Sequence, residues 1–229
     1  MNNLNKHLKT IQNLKRKKYH PIIHEVHKTH KISKKTLFYV KEYGPHTHAF
    51  KTIIKESIKI LLFASLISSF GGIALEQIKP FFISLFPLII LLPVLNGMLG
   101  NYGTIISSKI STLIHEGKIK NSKNLEIKVL FNELILISII TTFLSVTLAF
   151  LISLIFGYPV TLLLFLKIML ITLIDIFFIM IILFSIAIFS GLYFYKKKED
   201  PNNFLIPITT SIADFGNMVL LFLLIILFF

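Results

Sequence analysis

The residue of this chain best suited to chemistry is Asp214, an acid inside the long apolar segment that ends the sequence. A carboxylate at the centre of a membrane span costs roughly 2.5–3.5 kcal/mol on insertion scales, so it normally faces water or a polar partner. A helical period of about 100° per residue places four more residues on the face of Asp214. They are Pro207, Thr210, Ser211 and Asn217. This stripe offers oxygen ligands to a cation along about 15 Å of helix.

Two interpretations of the stripe are open. Small and hydroxylated residues also hold membrane helices together by close packing, which accounts for the serine and the threonine. Close packing gives no role to the charge of Asp214. That carboxylate lies about eleven residues from the polar start of the segment, so about 16 Å deep and near the middle of a ~30 Å hydrocarbon core. The pattern therefore favours an ion path along this segment.

The elements that position Asp214 are membrane helices. Hydrophobic residues make up 54% of the 229 residues, and the mean hydropathy is +0.77. Five apolar segments are long enough to cross a bilayer. They cover about residues 53–75, 80–97, 131–156, 160–194 and 203–229, with a shorter helix over 105–116. We predict an all-α membrane protein whose residues 53–229 form a five-helix transmembrane cation-transport domain. The lack of cysteine excludes disulfides, thiolate metal sites and cysteine nucleophiles.

The distribution of charge predicts the topology. Of the 24 Lys and Arg residues, 22 fall on one side of the membrane if five spans alternate from an inside N-terminus. Because Lys and Arg mark cytoplasmic loops, we predict a multi-pass protein of the cell membrane with a cytoplasmic N-terminus and an outside C-terminus. Residues 1–52 are then a basic cytoplasmic arm that lies on anionic lipid. This arrangement accounts for the net charge of +13 without a nucleic-acid partner.

Histidines are concentrated in the basic arm, which contains seven of the eight. His20, His24 and His27 have helical spacing and permit two interpretations, a solvated basic helix or a metal site. No carboxylate or cysteine completes a ligand set beside them, so the pattern favours the solvated helix.

Four acids lie at the ends of the predicted spans or inside them. Glu76 closes the first span at the outer face and Glu133 opens the third at the inner face, so with Asp214 they mark three depths of one path. Asp175 is the second intramembrane acid. We expect it to pair with Lys167, two turns earlier, or to form a hydrogen bond within the bundle. Its alternative role is in an aspartyl dyad with Asp214, as in an intramembrane protease, although the flanking residues do not match such enzymes.

A run of glycine and asparagine follows Pro93 in the second predicted span. Asn96, Gly97, Gly100 and Asn101 predict a broken helix there. Irregular backbone at membrane depth is tolerated beside protein or a water-filled cavity, where its carbonyls and amides can serve a cation. The alternative is a flexible cytoplasmic loop.

The run PVLNGMLGNYGTIISSKIST, at residues 93–112, resembles the MgtE family of magnesium transporters. Pro207 to Asp214 is similar to the last span of that family, in which a proline precedes the pore aspartate by seven residues. Glu76 and Glu133 match further acidic positions, and the resemblance covers about residues 53–229. It implies a homodimer with one cation path on its two-fold axis, in which Asp214 binds the transported, hydrated Mg²⁺. Residues 1–52 are too short for the regulatory modules of many bacterial members.

The resemblance and the residues together predict divalent-cation transport, most specifically of Mg²⁺. This ion prefers about six oxygen ligands and sheds its water reluctantly, which suits a wide, oxygen-lined path with one carboxylate per chain. A non-transporting membrane scaffold is the alternative, and we do not expect an enzyme. The predicted ion ligands are Asp214, Asn101, Asn96, Thr210, Ser211, Glu76 and Glu133, and the pore lining adds Pro207, Asn217, Gly97 and Gly100.

Overall fold

The computed structural model describes residues 2–12, 21–43, 49–82, 85–119, 125–197 and 199–229. Throughout these ranges the regular structure is helical, with no strand. The helices are α1 (Asn2–Gln12), α2 (Pro21–His30), α3 (Lys34–Tyr43), α4 (Ala49–Ile78), α5 (Phe86–His115), α6 (Leu125–Ile155), α7 (Leu162–Lys196) and α8 (Pro201–Phe228), with a 3-10 turn at Lys79–Phe82. The last five are long and apolar enough to cross a membrane, which confirms the predicted all-α, multi-pass membrane protein.

Helix α8 is the centre of the bundle, because it packs against α4, α5 and α7. Helix α6 lies on the other side of α5 and α7. Glycines allow close approach at two of the α8 contacts. A methyl group at Gly71 of α4 would lie 3.5 Å from the Cα atom of Phe215, and one at Gly103 of α5 would lie 3.3 Å from the carbonyl carbon of Thr209. The acid-bearing segment is therefore the helix against which three of the other four spans pack.

Helix α4 packs mainly against α8, through Ala64, Gly71 and Ala74. Most of its remaining surface is exposed and apolar, as at Leu62 with 64% and Leu66 with 62% of the residue exposed. Such a surface is compatible with lipid, since hydrocarbon chains solvate leucine side chains as well as a protein core does. Helix α4 is thus attached to the bundle along one seam, in which small residues allow close approach.

The predicted break in the second span is wrong. Residues 86–115 form one continuous α-helix that includes Pro93 and the whole glycine–asparagine run, and residues 79–82 before it form a 3-10 turn. Each glycine weakens a helix by about 1 kcal/mol relative to alanine. Opening the helix inside hydrocarbon would leave amides and carbonyls unpaired at several kcal/mol each, so the continuous helix is favoured.

The basic arm contains the three short helices α1, α2 and α3, which pack against one another. Their shared core is apolar and buries Ile11, Ile23, Val26 and Leu37. Amphipathic helices this short are marginal alone, so burial of one face in a common core stabilises all three. We call this group the N-terminal unit. Among the described residues no group of three or more His, Cys, Asp or Glu side chains could hold a metal, and His20 lies outside the described residues.

The ends of α5, α7 and α8 meet at the side predicted to be cytoplasmic. The Nε2 atom of His115 lies 3.7 Å from Oδ1 of Asp200, and both side chains are 2% exposed. The ring of Tyr195 meets that of His115 edge-on, with 5.3 Å between centroids. The Asp200 carboxylate also caps α8 by accepting a 3.1 Å hydrogen bond from the amide of Asn202. The start of α8 is therefore tied to the ends of both neighbouring helices.

Candidate cation site

The carboxylate of Asp214 is half-buried and faces α4. The hydroxyl of Ser68 donates a 3.3 Å hydrogen bond to its Oδ2 atom. Thr210 and Pro207, one and two turns earlier on α8, are also half-buried. The sequence placed these three residues on one face, and the structure keeps them on one partly open flank of α8.

Contacts on either side define where that flank lies. Thr209 and Asn217 face α5, while Met218 contacts Gly71 of α4. On a helical wheel with Thr209 at 0°, Asn217 is at about 80° and Met218 at about 180°. Asp214 falls at about 140°, between them. It therefore lies in the groove across α8 that α4 and α5 border, which we call the α4–α5 groove.

Helix α5 presents its glycines near this groove. The contacts Asn96–Asn217 and Gly103–Thr209 fix the antiparallel register and place Gly100 at about the depth of Asp214. A methyl group at Gly97 or Gly100 would meet no other atom within 4 Å. Asn101 is exposed, and no hydrogen bond between described residues joins it to Asp214. The groove thus has one wall with little side-chain bulk.

Two members of the predicted stripe are turned inward. Asn217 is fully buried, and its side-chain amide donates to the side-chain Oδ1 of Asn96. The hydroxyl of buried Ser211 donates to the carbonyl of Pro207 at 2.7 Å, and that of Thr210 to the carbonyl of Ile206 at 2.9 Å. In the single chain these groups stabilise α8 and its contact with α5, while Asp214 remains the acidic group of the flank.

The two peripheral acids do not line up with Asp214 within one chain. Glu76 is exposed at the end of α4, where Lys79 lies 3.4 Å from its carboxylate. Glu133 is exposed on α6, which packs against α5 and α7. The structure therefore places Glu76 on a helix that borders the α4–α5 groove and Glu133 on one that does not.

Asp175 differs from the prediction. The residue is fully buried on α7, and neither carboxyl oxygen has a hydrogen-bond partner among the described residues. Lys167 instead donates a 3.0 Å hydrogen bond to the carbonyl of Phe228, so the predicted Asp175–Lys167 pair is absent. Gly216 of α8 faces α7, since a methyl group there would lie 2.8 Å from Ile179, and on the wheel it is about 160° from Asp214. The two acids are on different sides of α8, which does not fit an aspartyl dyad.

Replacing Asp175 by leucine, which has the same branching, is expected to stabilise the protein by about 1–3 kcal/mol, since it removes an unsatisfied buried polar group. Thermal unfolding in detergent measures the effect. Thr172→Val is the control, because the hydroxyl of buried Thr172 is already satisfied by the carbonyl of Ile168 at 2.9 Å. A gain in the control as large as that in Asp175→Leu would contradict this explanation.

Ser68 is the site residue that the sequence did not assign. The only signal was its place in a cluster of small residues in the first span, which predicts close helix packing and no particular partner. Its pairing with Asp214 depends on the register of α4 against α8, which no local pattern contains.

Comparison with known proteins identifies the family of this chain. Residues 92–224 match the MgtE family, described as a divalent cation transporter. The match covers more than half of the chain, runs from α5 into α8 and includes Asp214, whereas α4 with Ser68 precedes it. No curated protein and no solved structure matches the chain. The family predicted from the glycine–asparagine run and the last span is confirmed, and the chain belongs to the MgtE family of divalent cation transporters.

Proposed function

We propose that this divalent-cation transporter moves Mg²⁺ across the cell membrane along the α4–α5 groove, with Asp214 as the central ligand. The observation that carries the proposal is the half-buried carboxylate of Asp214 at the middle of α8, on the partly open flank with Thr210 and Pro207. An intramembrane acid that is neither paired with a base nor enclosed in the core is typical of an ion pathway.

The path is completed by a second copy of the chain. One carboxylate neutralises half of the charge of a divalent cation, and a two-fold axis beside α8 brings a second Asp214 to the same ion. Two facing carboxylates repel one another unless a cation lies between them, so the bound ion also stabilises the dimer. The open glycine wall of α5, at Gly97 and Gly100, leaves room for hydrated Mg²⁺.

The ligand chemistry supports a hydrated hard cation. Mg²⁺ usually keeps several waters and is held by one or two carboxylates, which agrees with a single acid per chain on the flank. The chain has no cysteine, so it lacks thiolate ligands for soft metals. An inside-negative potential supplies about 4.6 kcal/mol per 100 mV for a divalent ion, which makes influx the favoured direction.

The remaining predicted residues have secondary roles in this proposal. Asn101 and Thr210 contact the water shell, Ser211 stabilises α8 from its inner side, and the Asn96–Asn217 pair keeps α5 at its distance from α8. Glu76 and Glu133 attract cations to the outer and inner ends of the dimer. The N-terminal unit lies on the anionic cytoplasmic leaflet, where each Lys or Arg contributes about 1 kcal/mol.

The unmodified protein in proteoliposomes tests the proposal. We expect Mg²⁺ uptake that increases with an inside-negative potential and declines when Mn²⁺, Co²⁺ or Ca²⁺ competes. In detergent, Mg²⁺ at 100 times its Kd is expected to raise the free energy of unfolding by about 2.7 kcal/mol, because it binds only the folded protein. A protein with neither uptake nor a Mg²⁺-dependent shift in Tm would be a membrane scaffold.

A further inference from the structure

The hydroxyl of Ser68 behaves differently from those around it. In the described spans most serine and threonine hydroxyls donate to the carbonyl three or four residues earlier in their own helix, as Ser69 does to Ser65 at 2.8 Å. Such bonds are internal to one helix. The hydroxyl of Ser68 instead donates to Oδ2 of Asp214 on α8, at 3.3 Å. Among the hydrogen bonds between described residues of the spans, this is the one that joins a hydroxyl to a carboxylate.

We propose that Ser68 is a positioning residue for cation binding, which fixes the Asp214 carboxylate so that its second oxygen faces the path. This inference rests on the proposed function of Asp214. No described residue donates a hydrogen bond to Oδ1, and this atom is not among the enclosed, unsatisfied oxygens of the described residues. With Oδ2 held by the hydroxyl, the rotation of the carboxylate is restricted and Oδ1 is left for the water shell of the ion.

The attachment of α4 gives this hydrogen bond a second consequence. Helix α4 lies against α8 along Ala64, Gly71 and Ala74, and the surface on either side of this seam is largely exposed. Ser68 is on this seam, one turn from Ala64 and three residues before Gly71, so the bond forms only when α4 is seated on α8. The geometry of the cation ligand therefore depends on a helix that directly follows the N-terminal unit in the chain.

The test compares Ser68→Ala with Ser69→Ala in Mg²⁺ uptake by proteoliposomes. Loss of a hydrogen bond to a charged group is expected to raise the apparent KM for Mg²⁺ about 3- to 30-fold in Ser68→Ala. The variant is also expected to lose discrimination between Mg²⁺ and Ca²⁺, because a freely rotating carboxylate selects less strictly for the small ion. Ser69→Ala, which removes only a bond internal to α4, is expected to keep the KM and selectivity of the unmodified protein.

Two further variants separate a positioning role of Ser68 from a purely structural role. Ser68→Thr keeps the hydroxyl and is expected to restore KM and selectivity. Ser68→Cys keeps the size of the side chain but is a weak hydrogen-bond donor. It is expected to show the same rise in KM and loss of selectivity as Ser68→Ala, and it replaces Ser68→Ala in the test if the alanine variant does not fold. Tm is measured in all four variants, and the rise in KM in Ser68→Ala and Ser68→Cys is expected without a fall in Tm.

Asp214→Asn in the same assay distinguishes the positioning role of Ser68 from the proposed function of Asp214. If Asp214→Asn abolishes uptake while Ser68→Ala and Ser68→Cys leave KM and selectivity unchanged, the positioning role is overturned and the proposed function stands. If Asp214→Asn leaves uptake unchanged, the proposed function fails and the positioning role with it.

Discussion

Asp214→Asn is expected to reduce Mg²⁺ uptake into proteoliposomes by about 100-fold or more. A cation about 5 Å from a carboxylate gains several kcal/mol at an effective dielectric constant near 20, and a dimer would lose two such charges. Asparagine has the size of aspartate and accepts the hydrogen bond of Ser68 through its carbonyl oxygen. The fold is therefore expected to remain intact, with an unchanged Tm in the absence of Mg²⁺.

Asp175→Asn is the matched control, since it neutralises the second of the two acids placed deep in the membrane. Asp175 is fully buried on α7, outside the α4–α5 groove, so its replacement is expected to leave uptake at the unmodified level. The Mg²⁺-dependent rise in Tm is expected to disappear in Asp214→Asn and to persist in Asp175→Asn. Equal loss of uptake in both variants would place the path elsewhere, and full uptake in Asp214→Asn would reduce Asp214 to a helix-packing role.

The sequence was sufficient to predict five membrane-spanning helices and the flank that carries Asp214, although not the bounds of α5. Uninterrupted apolar runs leave the backbone no hydrogen-bonded alternative to a helix, and a fixed 100° period places Thr210 and Pro207 beside Asp214 whatever the packing. The same hydrocarbon solvent is the reason that the glycine–asparagine run does not break α5. Local propensity suggested a break there, but the cost of unpaired backbone groups decides the outcome.

Partners between helices could not be predicted, because they depend on register. Lys167 and Asp175 share a face of α7 but are about 12 Å apart along the axis. The long lysine side chain extends toward the helix end, where it meets the carbonyl of Phe228 and lies 4.9 Å from the ring centre of Phe229. Likewise, the helical pattern put Asn217 on the side of Asp214, and only the packing of α5 shows that its amide is used by Asn96.

The second large expected effect is a loss of stability in Gly103→Leu. A Cβ atom there would lie 3.2 Å from Oγ1 of Thr209 and 3.3 Å from its carbonyl carbon, and the rest of a leucine side chain has no space. Separating the helices also breaks the 2.9 Å hydrogen bond between the hydroxyls of Thr209 and Ser107. The proton of Thr209 keeps an acceptor in its own helix, the carbonyl of Leu205 at 2.9 Å. Overpacking and one lost hydrogen bond, less the gain in helix propensity, give a loss of about 1–4 kcal/mol.

Gly100→Leu separates this packing effect from the general cost of a larger side chain on α5. Gly100 lies three residues earlier, where an added Cβ meets nothing within 4 Å, so its replacement is expected to keep or raise Tm. Its side chain would project beside the α4–α5 groove at the depth of Asp214, and uptake is expected to fall although the protein is stable. Gly103→Leu is expected to lower both Tm and uptake, because the distance between α5 and α8 sets the width of the groove. Equal Tm values for the two variants would contradict the close α5–α8 contact on which the position of Asp214 depends.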